Sequence, residues 1–193
     1  MPPETGQVPV GILISGRGSN MQALVAASRQ EGAPYRVALV ASDKPEAAGL
    51  AWAAAHGIPT FAVSPKGIGK AAYEAEIDQA MREAGVAVIA LAGYMRLLSP
   101  DFVASWSGRI INIHPSLLPL YKGLDTHARA IAAGEAQAGC SVHVVTEQLD
   151  DGEVLGQARV AILPGDDADA LAARVLVEEH RLYPQVLAEF VTR

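Results

Sequence analysis

The sequence predicts an α/β fold: a mostly parallel twisted sheet with helices on both faces and an antiparallel hairpin added near the C-terminus. Three observations carry this. Short β-branched apolar runs alternate with longer Ala-rich stretches of helical spacing from residue 8 to about residue 133. The rhythm then changes, with two strand-like runs separated by little more than a turn. Half of the 193 residues are hydrophobic, enough for one substantial core.

In chain order, Val8 to Ser15, Tyr35 to Ser42, Thr60 to Val63, Val86 to Ala92 and Ile110 to His114 read as strands. Between them, Asn20 to Gln30, Glu46 to His56, Ala71 to Ala84 and Thr126 to Ala133 read as helices. Strand-helix alternation of this kind implies parallel pairing with right-handed crossovers. Cys140 to Val145 and Val154 to Ala161, joined through Leu149-Asp150-Asp151-Gly152, form the expected hairpin. An amphipathic helix from about Asp167 to Val191 closes the fold, with a bend expected at Pro184. Ser64 to Lys70, with two glycines and a proline, is a candidate mobile loop. His56 before Gly57-Ile58-Pro59 marks a helix end, where a glycine takes the left-handed position.

Bulk properties narrow the function classes. A net charge of −6 without a basic stripe argues against nucleic-acid partners, so an anionic ligand must be held by local geometry. Cys140 is the only cysteine, which excludes an intrachain disulfide and fits a reducing compartment. The opening Met1-Pro2-Pro3-Glu4 lacks signal-peptide character and no apolar run approaches a membrane span, so a cytoplasmic protein of one domain, residues 1–193, is expected.

Two stretches carry chemistry. "SGRGSN", Ser15 to Asn20, follows a strand and opens a helix, where exposed N–H groups and the helix dipole favour a phosphate. The alternative is a plain tight turn with Ser19 or Asn20 as N-cap. Gly16-x-Gly18, together with Asp43 at the end of the second strand, also suggests a dinucleotide fingerprint, but Met21 stands where its third glycine belongs. The second stretch is "NIHPSLLP", residues 112–119. Asn112 and His114 share one face of a strand, roughly 7 Å apart, at the carboxyl edge where such sheets bind ligands. Burying both without partners would cost about 1–3 kcal/mol each. No serine elbow, zinc spacing or exposed cysteine supplies another nucleophile. Direct attack by a substrate atom on a carbonyl, with the protein stabilising the oxyanion, fits these residues.

The blocks "SGRGSN", "LAGYMRLLSP", "NIHPSLLP", "GLDTHARAI", "SVHVV", "LDDG" and "EEHRLYP" occur in the order and spacing of the folate-dependent formyltransferases, and the chain most resembles the phosphoribosylglycinamide formyltransferases among them. The likeness runs from Val8 to about Pro184. It implies a Rossmann-like formyltransferase fold, with a phosphate-binding half at about 8–100 and a folate and catalytic half at about 101–193. It implies formyl transfer from 10-formyltetrahydrofolate to glycinamide ribonucleotide in purine (IMP) biosynthesis, without a metal, by a monomer or homodimer. The extra domains of methionyl-tRNA formyltransferase and formyltetrahydrofolate deformylase have no room in this chain.

By the same resemblance, Asn112, His114 and Asp150 are the catalytic trio. Gly18, Ser19 and Asn20, with Arg17 close by, hold the 5′-phosphate, and Glu179 contacts the ribose or glycinamide portion. Met95, Arg96, Leu97 and Leu98 line the pterin pocket with Asn112 and the loop Thr146, Glu147, Gln148, Leu149 and Asp150. Lys70 stands where relatives often carry an Arg near the folate, and Leu176 where some carry a Gln. His127, His143 and His180 are expected to pack or to support neighbours, and Trp52 and Trp106 to fill the core. Two other readings remain at this point: hydrolysis of formyltetrahydrofolate, with water replacing the amine, and a nicotinamide-dependent oxidoreductase or nucleotide-binding module built on the glycine turn and Asp43.

Overall fold

A computed structural model describes residues 6–193. The chain runs β1 (Val8–Ile14), α1 (Ser19–Ser28), β2 (Tyr35–Ser42), α2 (Ala48–Ala55), β3 (Thr60–Ala62), α3 (Lys70–Glu83) and β4 (Val88–Leu91). It continues through α4 (Pro100–Ser105), β5 (Ile110–His114), α5 (Thr126–Ala132), β6 (Gln137–Val144), β7 (Val154–Ala161) and α6 (Ala168–Phe190). The strands form one seven-stranded sheet in the order β3-β2-β1-β4-β5-β6-β7. Pairing is parallel from β3 through β5 and antiparallel for β5–β6 and β6–β7.

Both faces of the sheet are covered, which is why β1 and β4 at its centre are apolar throughout. Along β1, Ile12 and Ile14 join one hydrophobic cluster while Leu13 joins the other, the alternation a pleated strand requires. The first cluster holds Met21 and Leu24 of α1 and Tyr183 and Leu187 of α6. The second holds Tyr73, Ile77 and Met81 of α3 with Phe102 and Trp106 at α4. Tyr183 is fully buried, its hydroxyl 2.8 Å from the Leu91 carbonyl oxygen and 3.2 Å from that of Ile111, so α6 is tied to the carboxyl end of β4 and to the start of β5.

The sheet is wound outward from β1 to β3 and then from β4 to β7 on the other side, so the crevice beyond β1 and β4 is its topological switch point. Several expectations are adjusted. Neither Ser19 nor Asn20 caps α1; Gly18 does, in the left-handed conformation (φ 75°), with no side chain capping the helix. α4 lies outside the expected elements, although Ser99 caps it and Pro100 opens it, because six residues carry too little periodicity. β6 begins at Gln137, ahead of the expected Cys140. α6 runs from Ala168 to Phe190 with Pro184 inside it, close to the expected bounds. The glycine after His56 is left-handed, at φ 72°, as expected.

Candidate active site

The strand β5 stops because Pro115 cannot continue the ladder. The segment beyond it is pinned. Ser141 Oγ donates to the Ser116 carbonyl at 2.7 Å and accepts from the Leu118 amide at 3.0 Å, while Thr126 Oγ1 donates to the Pro115 carbonyl at 2.8 Å. The last residues of β5 therefore project Asn112 and His114 from a fixed edge. Antiparallel register with β6 sets Asn112 opposite His143 and His114 opposite Ser141.

Asp150 completes the group from the β6–β7 connection, in a left-handed conformation at φ 48°. Close packing of the same loop requires Gly152, where an added Cβ would lie 1.7 Å from the Val144 carbonyl oxygen. Asp150 Oδ2 lies 3.4 Å from His114 Nδ1 and accepts the Gly123 amide at 3.0 Å; Oδ1 lies 3.6 Å from His143 Nε2. His114 Nε2 sits 3.0 Å from the Tyr121 carbonyl oxygen, so that nitrogen carries a hydrogen and Nδ1 is left facing the carboxylate. Asn112 Nδ2 is 3.3 Å from His143 Nε2. Burial holds the His143 pKa down, opposed by the Val144 carbonyl and Asp150.

These groups line a cavity of about 700 Å³, within the range of small-molecule sites. Of the residues singled out in the sequence, Asn112, His114, Asp150, Asn20 and Glu179 line it. So do Lys70, Met95, Arg96, Leu97 and Leu98. Thr146, Glu147, Gln148 and Leu149 form a further wall. Arg17, Gly18 and Ser19 do not line it; they form the turn leading to Asn20. Leu176 lies outside the lining as well. Met95 and Leu97, 67% and 66% exposed, offer apolar surface at the mouth.

Asn20 Nδ2 donates to Glu179 Oε2 at 2.8 Å, joining α1 to α6 at the cavity floor. Burial raises the Glu179 pKa, opposed by that hydrogen bond and by the charge of His114. Asn20 Oδ1 and His127 Nδ1 are buried and have no hydrogen-bond partner among the described residues. Both residues line the cavity, so a polar ligand there would satisfy them.

The sequence understated His127 and His143, the first a cavity wall and the second the partner of Asn112. It also had no means of showing the Tyr121 carbonyl or the Gly123 amide, since backbone groups leave no residue signature. The strand pairing of β5 and β6 is the signal that would have found His143. Burial pushes the Cys140 thiol up to about 12, which removes a thiolate nucleophile. Asp43 does not serve as a ribose acid: it is 7% exposed, accepts from Ser15 Oγ at 2.7 Å and stands apart from the cavity lining. The nicotinamide reading fails on that geometry.

A doubly wound α/β sheet with a ligand cavity at its switch point, lined by an amide, an imidazole and a carboxylate but no activated protein nucleophile, defines a group-transfer enzyme. The family model described as formyl transferase matches residues 9–187, and the chain belongs to that family. It is 43% identical over 180 residues to the phosphoribosylglycinamide formyltransferase of Escherichia coli (strain K12), covering 93% of this chain and 85% of the relative. It is 46% identical to the trifunctional purine biosynthetic protein adenosine-3 of Drosophila melanogaster, but spans only 14% of that protein's length. The crystal structure of phosphoribosylglycinamide formyltransferase from Brucella melitensis superposes with a TM-score of 0.93 at 52% identity, covering 97% of each chain.

Proposed function

We propose that this chain transfers the formyl group of 10-formyltetrahydrofolate to the amine of 5′-phosphoribosylglycinamide, giving formylglycinamide ribonucleotide and tetrahydrofolate in purine biosynthesis. The observation that carries the reading is the convergence of Asn112, His114 and Asp150 on one cavity that also reaches Asn20, beside the glycine turn. The names of the bacterial relatives supply the acceptor and the transferred group, and the folate donor rests on the resemblance of the sequence blocks.

In this reading residues 1–193 act as one domain, although each substrate draws on both halves of the chain. The turn Arg17, Gly18, Ser19 and Asn20 receives the phosphate through first-turn amides that no side chain caps. Glu179 holds the ribose or glycinamide part. Met95 to Leu98 and Thr146 to Asp150 enclose the pterin, with Lys70 and Arg96 supplying positive charge toward the anionic tail. The buried single cysteine suits a cytoplasmic setting.

The amine adds to the formyl carbon, and negative charge collects on the formyl oxygen. Asn112 donates to that oxygen. His114, whose Nε2–H is turned to the Tyr121 carbonyl and whose Nδ1 faces Asp150, adds the positive charge it carries when both nitrogens hold a hydrogen, stabilised by Asp150. Asp150 then accepts the proton released by the amine, directly or through water, and the proton moves to N10 as the N10–carbon bond breaks. Alignment of two bound substrates contributes alongside these groups.

The test is a formyl-transfer assay on the wild type and His114→Ala. Transfer in the wild type, reduced about 10²–10³-fold in the variant, supports the assignment. Formate release without ribonucleotide, at a rate matching turnover with it, would instead mark a hydrolase.

A further inference from the structure

Two buried polar residues outside the cavity remain unexplained by the proposed chemistry. Ser15, 4% exposed, directly follows β1, and Asp43, 7% exposed, directly follows β2. Ser15 Oγ donates to Asp43 Oδ1 at 2.7 Å and accepts the Met95 amide at 2.9 Å, while the Ser15 amide donates to the Gly93 carbonyl at 3.1 Å. One serine therefore makes three hydrogen bonds, and two of them reach the loop after β4 that forms the apolar wall of the cavity. Asp43 sets the direction of the serine proton: with the Ser15 O–H donated to the carboxylate, the Oγ lone pair is turned to Met95 N–H.

That wall has few other anchors. Met95 and Leu97 are largely exposed, and Gly93 is left-handed at φ 73°. Tyr94 is held by the hydroxyl contact to Tyr73, at 2.7 Å, and the Arg96 guanidinium lies 5.3 Å from the Tyr73 ring centroid. Those contacts fix side chains. The Ser15 contact fixes the backbone at the residue where the wall begins.

We infer that Ser15 and Asp43 are positioning residues for the formyl-donor site, setting the height of the Met95–Leu98 wall through the Met95 amide without touching either substrate. The inference rests on the proposed function for the identity of the donor. The turn Gly16 to Asn20 starts one residue further on, but it is held by the backbone ladder and by α1, so the ribonucleotide site is not expected to depend on the Ser15 hydroxyl.

The experiment compares full-length wild type, Ser15→Ala, Asp43→Ala and Asp43→Asn by steady-state kinetics, tetrahydrofolate titration and thermal melting. Loss of one neutral hydrogen bond at the wall predicts a rise of roughly three- to tenfold in the donor KM for Ser15→Ala and Asp43→Ala. The ribonucleotide KM and kcat should stay within about twofold. Asp43→Asn, whose amide oxygen still accepts the serine proton, should retain the wild-type donor KM. The double Ala variant should be no worse than either single one, because both act on the same contact. Equal changes in both KM values, or lowered melting temperatures with an unchanged donor KM, would overturn the inference. If Ser15→Ala does not fold, the contrast between Asp43→Ala and Asp43→Asn decides. If the wild type transfers no formyl group, the proposed function fails on its own, and tetrahydrofolate affinity across the same variants still reports on the wall.

Discussion

Asn112 and His143 face one another across the antiparallel pair β5–β6, with Asn112 Nδ2 3.3 Å from His143 Nε2. His143 Nδ1 lies 3.0 Å from the Val144 carbonyl oxygen and so carries the ring hydrogen, which leaves Nε2 as an acceptor. A neutral His143 thereby decides which end of the Asn112 amide points to it, and the remaining amide hydrogen is free for the substrate. His143→Leu removes the acceptor and is expected to lower kcat at least tenfold, a fraction of the roughly 10²–10³ that loss of an oxyanion donor brings. His143→Gln, which can still accept, should recover part of it. Unchanged turnover in His143→Leu would show that Asn112 is oriented by other means.

Among the described residues, Asp150 is the sole carboxylate paired with His114. In Asp150→Asn the Gly123 amide keeps an acceptor, so the loop should hold its shape while the charge and the proton acceptor are lost. Turnover is expected to fall by about 10² or more with little change in either KM. Near-normal kcat would refute the role given to this carboxylate.

Glu179 combines a cost in stability with a role in binding. Burial raises its folded-state pKa above the unfolded value of 4.5, so its contribution to stability is full below that pH and is lost as pH rises through the folded-state value. Glu179→Gln keeps an acceptor for Asn20 without the buried charge. The variant should melt higher than wild type at about pH 8, and the difference should shrink toward about pH 4. At the same time its ribonucleotide KM should rise. Thermal scans at the two pH values, set beside the KM, check both halves.

Gly49 of α2 packs on the glycine turn, the proposed phosphate site, from outside the cavity. Its amide donates to the Gly16 carbonyl at 3.0 Å, and a Cβ there would stand 3.0 Å from that oxygen and 3.1 Å from the Arg17 oxygen. A Cβ there also meets Ile14 Cδ1 at 2.5 Å, so Gly49→Ala must move that side chain and shift the turn by a few tenths of an ångström, and overpacking of this kind costs about 1–3 kcal/mol. The ribonucleotide KM should rise while the donor KM holds, the reverse of the pattern expected for Ser15→Ala. Equal effects on both substrates would mean that the helix shift propagates across the cavity floor.

Much of this is legible in the residues. β2, β5 and β7 fall on their expected bounds, β5 because it is a β-branched run closed by Pro115. Asn112, His114 and Asp150 can be named because their chemistry is unusual for their places on a strand edge and in a turn. α4 escapes notice, being too short to show a period, and the cap on α1 is misread because a left-handed glycine competes with Ser19 and Asn20 for the same task. His143 is undervalued for a different reason: its importance lies in cross-strand register, which a single strand's pattern does not contain. The Ser15–Asp43 pair looks like half of a dinucleotide site until the partner of the carboxylate is known.

The hydrogen bond between Asn20 and Glu179 joins residues 159 positions apart. A ribosome must therefore release the chain through α6 before the cavity floor can close, and a chain cut short ahead of α6 would possess the glycine turn and β5 without the carboxylate to which Asn20 donates. Synthesis and activity are separated in time by the order in which the chain emerges.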